Sequence, residues 1–449
     1  MTRLMMALLL AGSMFVAACG SRSDEEGGGD GGDAGGVDNA AGDGGSEAAA
    51  SDPGVSDTEI KVGASLTLSG PVAFLGEEVL AGIDSYFQMV NDRGGINGRK
   101  LKLVTYDDRL DPTQLLANLR KLVEQDEVVA LVTFVGDSAF DYISRQGTPT
   151  ITFGVTPAAF ASNYPTVYPV VGNALLWTQE AIAGLQENGV IEEGTKVGII
   201  YDTTAFDVSP YLDEIKESWE NVGAEVVSTD PYTLETGSCD SLVVKYRDLG
   251  VQYWDFQSAA WFLCVESAQR QGWTPEQGWG NWPSSVPALA TLAGPSVDGV
   301  WGGSNGDQPD GAPRKHTAAH DEFTSAVKKY YPDQATSEHF DSPALIGYWA
   351  GAKLIVDALE AQGDAITADG INEWMQDLED YEIGITPPIV SMAPDCKTGS
   401  EAVWIGQWKW DPKTQSASRK PQGGYFTSPQ KEKFGGKCFL TKLSDEIIE

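Results

Sequence analysis

The chain has 449 residues, 41% of them hydrophobic and 10% aromatic, too long for one ordinary core and well supplied for two. It carries 65 Asp and Glu against 30 Lys and Arg, a formal net charge of −35. A surface of that sign repels phosphate backbones and anionic lipid headgroups, which excludes nucleic acid as a partner and suits a highly soluble exterior.

The N-terminus reads as an export signal over residues 1–18. Arg3 precedes an apolar run from Leu4 to Val16, followed by the small residues Ala17 and Ala18. The run is short for a bilayer span. Val16-Ala17-Ala18-Cys19 resembles the bacterial lipoprotein box, in which the cysteine is lipidated and becomes the first residue. Residues 19–58 are largely Gly, Ala, Ser, Asp and Glu, a composition that buries too little to order itself and reads as an acidic tether. A lipid, a tether and a folded body together predict a protein anchored at the outer face of the cell membrane and working in water.

Beyond the tether, strand and helix patterns alternate. Ile60, Val62, Ala64 and Leu66 mark a strand, and Val79, Ile83, Phe87 and Val90 recur at helical spacing. Gly94, Gly95 and Asn97-Gly98 follow that helix and lead into a strand over 100–106. A phosphate-binding loop has the opposite order, glycines after a strand and Gly-Lys-Ser/Thr at a helix start, so this stretch is a helix-to-strand connector. Asp111-Pro112 opens the next helix as N-cap and first helical residue. Further strands are predicted at 128–133, 150–153, 196–201, 224–228, 251–256 and 299–302. Helices are predicted near 138–145, 175–188, 211–222, 240–249, 259–271, 321–330, 343–361 and 368–378, with a polar, aromatic tail of strand character. Repeated strand–helix units give parallel sheets covered on both faces, and there are too many for one sheet. The expected fold is α/β with two doubly wound, Rossmann-like lobes.

Four cysteines remain after Cys19, an even number in an exported chain, which predicts disulfides. Of the three pairings, Cys239–Cys264 and Cys396–Cys438 join sequence neighbours; a buried free thiol at Cys264 is the alternative. The cysteine spacings fit no zinc pattern, and no metal site or cofactor is expected.

The run "GASLTLSGPVAFLGEEVLAGIDSYFQMVNDRGGINGRKLKLVTYDDRLDP" resembles the leucine/isoleucine/valine-binding family of periplasmic solute-binding proteins. Its marks are Leu68-Ser69-Gly70-Pro71, Gly76, Asn91 with Gly94-Gly95-Ile96-Asn97-Gly98, and Asp107-Asp108 before Asp111-Pro112. The resemblance implies a type I periplasmic binding protein: two lobes joined by a three-segment hinge, a ligand in the cleft, and closure sensed by an ABC permease. It implies lobe 1 from 59–174 and 301–385 and lobe 2 from 175–300 and 386–449, acting as a monomer. The family's carboxylate-binding positions fall on Gly154 and Thr156 and near Asp137-Ser138. Its aromatic wall falls on Phe206, and its acidic partner for a ligand ammonium falls near Trp282, where no acid stands. Phe74 and Gln257 complete the candidate ligand-binding set. An Asp at position 137 repels a carboxylate, and a buried ammonium without a counter-charge is costly, which counts against a plain α-amino acid. The loop aromatics Phe74, Trp279 and Trp282 suit a flatter or more apolar solute, within an expected class of amino acids, amides and related polar or aromatic molecules. No catalytic residue is assigned.

Two rival readings remain. The same fold serves a ligand sensor feeding a signalling partner. His316 and His320, four apart, could hold zinc in a secreted hydrolase. They stand among Arg314, Lys315, Asp321 and Glu322 without the Glu of a zinc-hydrolase motif, the pattern of a solvated helix start.

Overall fold

The computed structural model describes residues 51–70, 72–204, 206–306, 317–335 and 339–448. The export signal, Cys19, most of the tether, Pro71 and His316 lie outside them. The first body alternates strictly: β1 (Glu59–Leu66), α1 (Ala73–Asp92), β2 (Lys100–Asp107), α2 (Pro112–Glu124), β3 (Ala130–Thr133), α3 (Phe140–Gln146), β4 (Thr150–Thr152), α4 (Pro157–Phe160) and β5 (Val167–Pro169). Among the described residues these strands form one parallel sheet in the order β2-β1-β3-β4-β5.

Local chemistry sets each junction. Gly94 and Gly95 take φ of 117° and 78° after α1, a region closed to most side chains. The Asn91 side chain then accepts from Leu101 N at 2.8 Å and donates to Leu101 O at 2.9 Å, tying the helix end to β2. Asp111 caps α2 by accepting from Thr113 N and Gln114 N.

The second body contains α5 (Ala174–Glu187), β6 (Lys196–Tyr201), α6 (Leu212–Glu220), β7 (Glu225–Pro231), α7 (Asp240–Leu249), β8 (Tyr253–Gln257), α8 (Trp261–Arg270), β9 (Gly278–Gly280), α9 (Pro287–Leu292) and β10 (Trp301–Ser304). The chain then returns to the first body through α10 (Ala318–Tyr330), α11 (Pro343–Ala361) and α12 (Ala368–Gln376). α11 packs so closely on α1 that a Cβ on Gly82 would stand 2.6 Å from Leu345 O. The tail holds β11 (Glu379–Tyr381), β12 (Ile389–Ala393), β13 (Cys396–Lys397), β14 (Trp404–Asp411), β15 (Ser416–Pro421) and α13 (Phe439–Ile448).

The second sheet runs β15-β14-β10-β9-β8-β6-β7, parallel from β10 to β7, with β14 antiparallel to both of its neighbours β10 and β15. Its core is aromatic, with Trp219, Tyr246, Tyr253, Trp254 and Trp261 fully buried.

Two sequence boundaries need correction. The division at 300/301 assigns β10 to the first lobe. Its hydrogen bonding to β14 and its pairing with β9 put Trp301–Ser304 in the second sheet. Nor does the whole of 386–449 join the second lobe. β12 pairs with β11 on one side and β13 on the other in a small separate sheet, and α13 packs on α4. Asp445 accepts from Ser162 N at 2.7 Å, and the buried Lys397 ammonium donates to Ala161 O and Tyr164 O. Only β14 and β15 of the tail complete the second sheet. The chain therefore crosses between bodies after β5, after β10 and before β14. Those crossings touch: Trp404 Nε1 donates to Gly306 O at 3.1 Å, and a Cβ on Gly172 would stand 3.4 Å from Ser400 O.

Both expected disulfides form. Cys239–Cys264 joins the start of α7 to α8, and Cys396–Cys438 joins β13 to the approach to α13. Among the described residues no helix is long and apolar enough to cross a membrane.

Candidate functional site

Each sheet releases its strand-to-helix loops at the carboxyl ends of its parallel strands. Between the two sets of loops lies a cavity of about 160 Å³. The first body supplies Thr67 after β1, Asp108, Leu110 and Asp111 after β2, and Val135, Asp137 and Ser138 after β3. Pro112 and Leu115 of α2 add an apolar wall, and Thr204 and Asp207 come from the loop after β6. In both sheets the strand order reverses beside the contributing strand, the position at which open α/β sheets hold ligands.

The Asp107-Asp108 pair splits in opposite directions, as alternation along a strand end requires. Asp107 accepts from Leu68 N and Ser69 Oγ on the outside. Asp108 turns inward and accepts from Thr67 Oγ1 at 2.7 Å, Ser65 Oγ at 3.2 Å and Leu110 N at 3.0 Å. Burial raises its pKa, those hydrogen bonds oppose the rise, and the neighbouring Asp107 charge adds to it. Arg109 and Leu110 are held at φ of 58° and 60°, a left-handed conformation that costs non-glycine residues energy and aims Leu110 at the cavity.

Asp137 is half-buried, and its pKa is pushed up to about 6. Burial is the main cause; the Thr156 hydroxyl and its own backbone N–H stabilise the charge, and Asp207 opposes it from the second body. In the loop after β6, burial likewise raises Asp202, against hydrogen bonds from the Thr204 hydroxyl and N–H.

Of the candidates read from sequence, Asp137 and Ser138 line this cavity. Phe206 sits beside it, its ring 5.7 Å from Phe134, so that an aromatic contact spans the two bodies. Thr156 is buried at the start of α4 and faces Asp137. Gly154 has φ of 90°, and a Cβ there would stand 2.4 Å from Pro169 Cβ; this glycine lets the ends of β4 and β5 approach. Gln257 and Trp282 are brought together, but inside the second body: Trp282 Nε1 donates to Gln257 Oε1 at 2.7 Å, and Gln257 Nε2 donates to Thr178 Oγ1 at 2.8 Å. Phe74 is half-buried in the first turn of α1, apart from the cavity lining.

Sequence reasoning missed Thr67, Val135, Thr204 and Asp207, and treated Asp108 and Asp111 only as loop and cap residues. Their shared signal is position, one to six residues past the end of a parallel strand.

A model of the family described as periplasmic binding protein matches residues 59–416, most of the chain. The chain belongs to that family. Periplasmic binding proteins of this kind receive small solutes outside the cytoplasm. Among curated relatives, the Leu/Ile/Val-binding protein homolog 7 of Brucella suis is 25% identical over 317 residues, covering 67% of this chain and 77% of that protein. The fold is that of type I periplasmic binding proteins. A fatty acid ABC transporter substrate-binding protein from Thermomonospora curvata superposes with a TM-score of 0.71 at 22% identity, covering 87% of this chain and 97% of that one. A branched chain amino acid ABC transporter from Thermus thermophilus with bound valine gives 0.70 at 15% identity, covering 85% and 100%.

The raised Asp137 pKa carries a signed consequence. A carboxyl that binds its proton more tightly when folded favours the folded state at low pH. That advantage is lost as pH rises from about 4, the unfolded value, through about 6. Asp137→Asn is therefore expected to raise stability at pH 7–8 by on the order of 1 kcal/mol, discounted for partial exposure, and to flatten the pH dependence in that window. Urea denaturation from pH 4 to 8 checks this; an unchanged pH profile contradicts it.

Proposed function

We propose that this protein is the solute-receiving component of an ABC-type importer, held at the outer face of the membrane by a lipid on Cys19. The observation that carries the reading is the cavity at the carboxyl ends of both parallel sheets, lined from both bodies and flanked by the Phe134–Phe206 contact. Loops on separate bodies touch one solute only when the bodies come together, so the solute favours the closed form and a permease has a shape to read. About 160 Å³ is close to the volume at which an engineered apolar cavity accepts benzene, which points to one small solute with polar and apolar parts. The curated relatives named for Leu/Ile/Val binding and the fatty acid and valine proteins support the solute-binding role. The wall of Leu110, Pro112, Leu115 and Val135 fits a short apolar body better than an extended acyl chain.

Native mass spectrometry of the purified chain, followed by a thermal-shift screen of amino acids, amides, small acids and aromatic compounds, tests the solute reading. A bound solute at a hundredfold excess over Kd adds about 2.7 kcal/mol and a shift of several degrees, and it is returned chemically unchanged. Turnover of the solute, or no bound species and no shift, contradicts the reading. Fractionation tests the anchor. The intact protein is expected with membranes and Cys19→Ser in the soluble fraction; equal membrane association of both contradicts lipidation.

A further inference from the structure

We propose that the cleft selects a small organic cation, an amine with a short apolar body, and that the carboxylates of Asp137 and Asp207 clasp it from opposite lobes. The inference rests on the solute-binding reading above and names the class of solute for that same cavity. The cavity marks the site; the charges state what fits it.

Among the described residues that line it, four are aspartates, Asp108, Asp111, Asp137 and Asp207, and none is Lys or Arg. The nearest cation in sequence, Arg109, turns outward to Asp107 at 3.8 Å. The acidity of the whole chain does not account for this, because 30 basic residues are spread over it, and among the described residues none reaches the cavity wall.

The donors that would greet an anion are also taken. Free N–H groups at helix starts and loop turns are what normally attract a carboxylate to the ends of parallel strands. Here the protein's own carboxylates consume them. Asp111 accepts from Thr113 N and Gln114 N, Asp108 from Leu110 N, Asp202 from Thr204 N and Asp207 from Ser209 N. The Thr156 hydroxyl serves Asp137. A solute carboxylate would enter a field of like charge and find these hydrogen-bond donors occupied, leaving the Ser138 hydroxyl of the lining to greet it, a costly burial.

The same arrangement couples charge to closure. Asp137 belongs to the first lobe and Asp207 to the second, and the charge of one acts on the other across the cleft. Bringing them together is unfavourable until a cation lies between them. The repulsion then becomes two attractions, which is the differential affinity that shifts a hinge equilibrium. A metal ion is the poorer occupant. Among the described residues no group of three or more His, Cys, Asp or Glu stands close enough to hold one, and Leu110, Pro112, Leu115 and Val135 give the cavity an apolar wall.

The test is calorimetric titration and thermal shift with two charge-matched series. One is isoamylamine, isovalerate and leucine; the other is phenethylamine, 3-phenylpropionate and phenylalanine. Calcium chloride alone is a separate arm. At least one amine should bind and raise the melting temperature, while its matched carboxylate and zwitterion bind at least tenfold more weakly. Asp137→Asn and Asp207→Asn should each weaken that amine at least tenfold without lowering the melting temperature of the unliganded protein. Tighter binding of a carboxylate or zwitterion overturns the charge selection and leaves solute capture standing. Stabilisation by calcium that is lost in Asp137→Asn overturns the organic cation in favour of a metal. If neither series binds and native mass spectrometry finds no solute, the charge selection and the solute-binding reading fall together.

Discussion

Parallel strands can be joined only by crossovers, and that constraint organises the molecule. Each crossover leaves the sheet at the carboxyl end of one strand and returns at the amino end of the next, so every such loop gathers on one edge. Two sheets built this way, with strand orders that reverse at β1/β3 and β6/β8, each carry one loop-rich edge. Thr67, Asp108, Asp137 and Asp207 become neighbours through this geometry, although about 140 residues separate the first from the last.

The loops are costly to hold, and the protein spends its own polar groups on them. Asp108 draws in Ser65 and Thr67 hydroxyls, and Asn118 Nδ2 donates to Ser65 Oγ behind them, so the acid facing the cavity is fixed by a network reaching α2. In the second lobe, Asp255 accepts from Trp219 Nε1 at 2.7 Å and Asn281 Nδ2 at 2.6 Å, and Gln257 joins it to Trp282. That network is sealed inside the lobe. It stiffens the carboxyl ends of β8 and β9, the frame against which the β6 loop is set. The three chain crossings meet through Trp404, Gly306, Gly172 and Ser400, which confines the hinge to a small region.

Much of this was legible in the sequence because the signals were local. Helices expected near 240–249 and 343–361 are present over Asp240–Leu249, closed by Gly250 in the left-handed conformation, and Pro343–Ala361, with proline at the first helical position. The Asp111 cap and the connector at Gly94–Gly98 followed from backbone chemistry alone. What failed was non-local. β5 and β9 are three residues each, too short for alternation to register, and α13 lies in a stretch read only as tail. The allegiance of β10 depends on its antiparallel partner β14, a hundred residues away. The candidate site divided the same way. Asp137 and Ser138 were named through the family resemblance, whose ligand position after the third strand falls near them. Gln257 and Trp282, named as ligand-binding candidates, stand at or just past the ends of β8 and β9, but whether such side chains face the cleft or the lobe interior is decided by tertiary packing. The Asp207 carboxylate carries no mark beyond its place six residues past β6.

A hinged clamshell that shuts on its solute is the central claim, and the distance between its halves is its most direct measure. Spin labels at the exposed positions Arg120 in α2 and Glu217 in α6 sit one on each lobe. Double electron–electron resonance between them should give a broad or long distance distribution without solute and a shorter, narrower one when the solute saturates the protein. An identical distribution with and without a solute proven to bind would contradict the account.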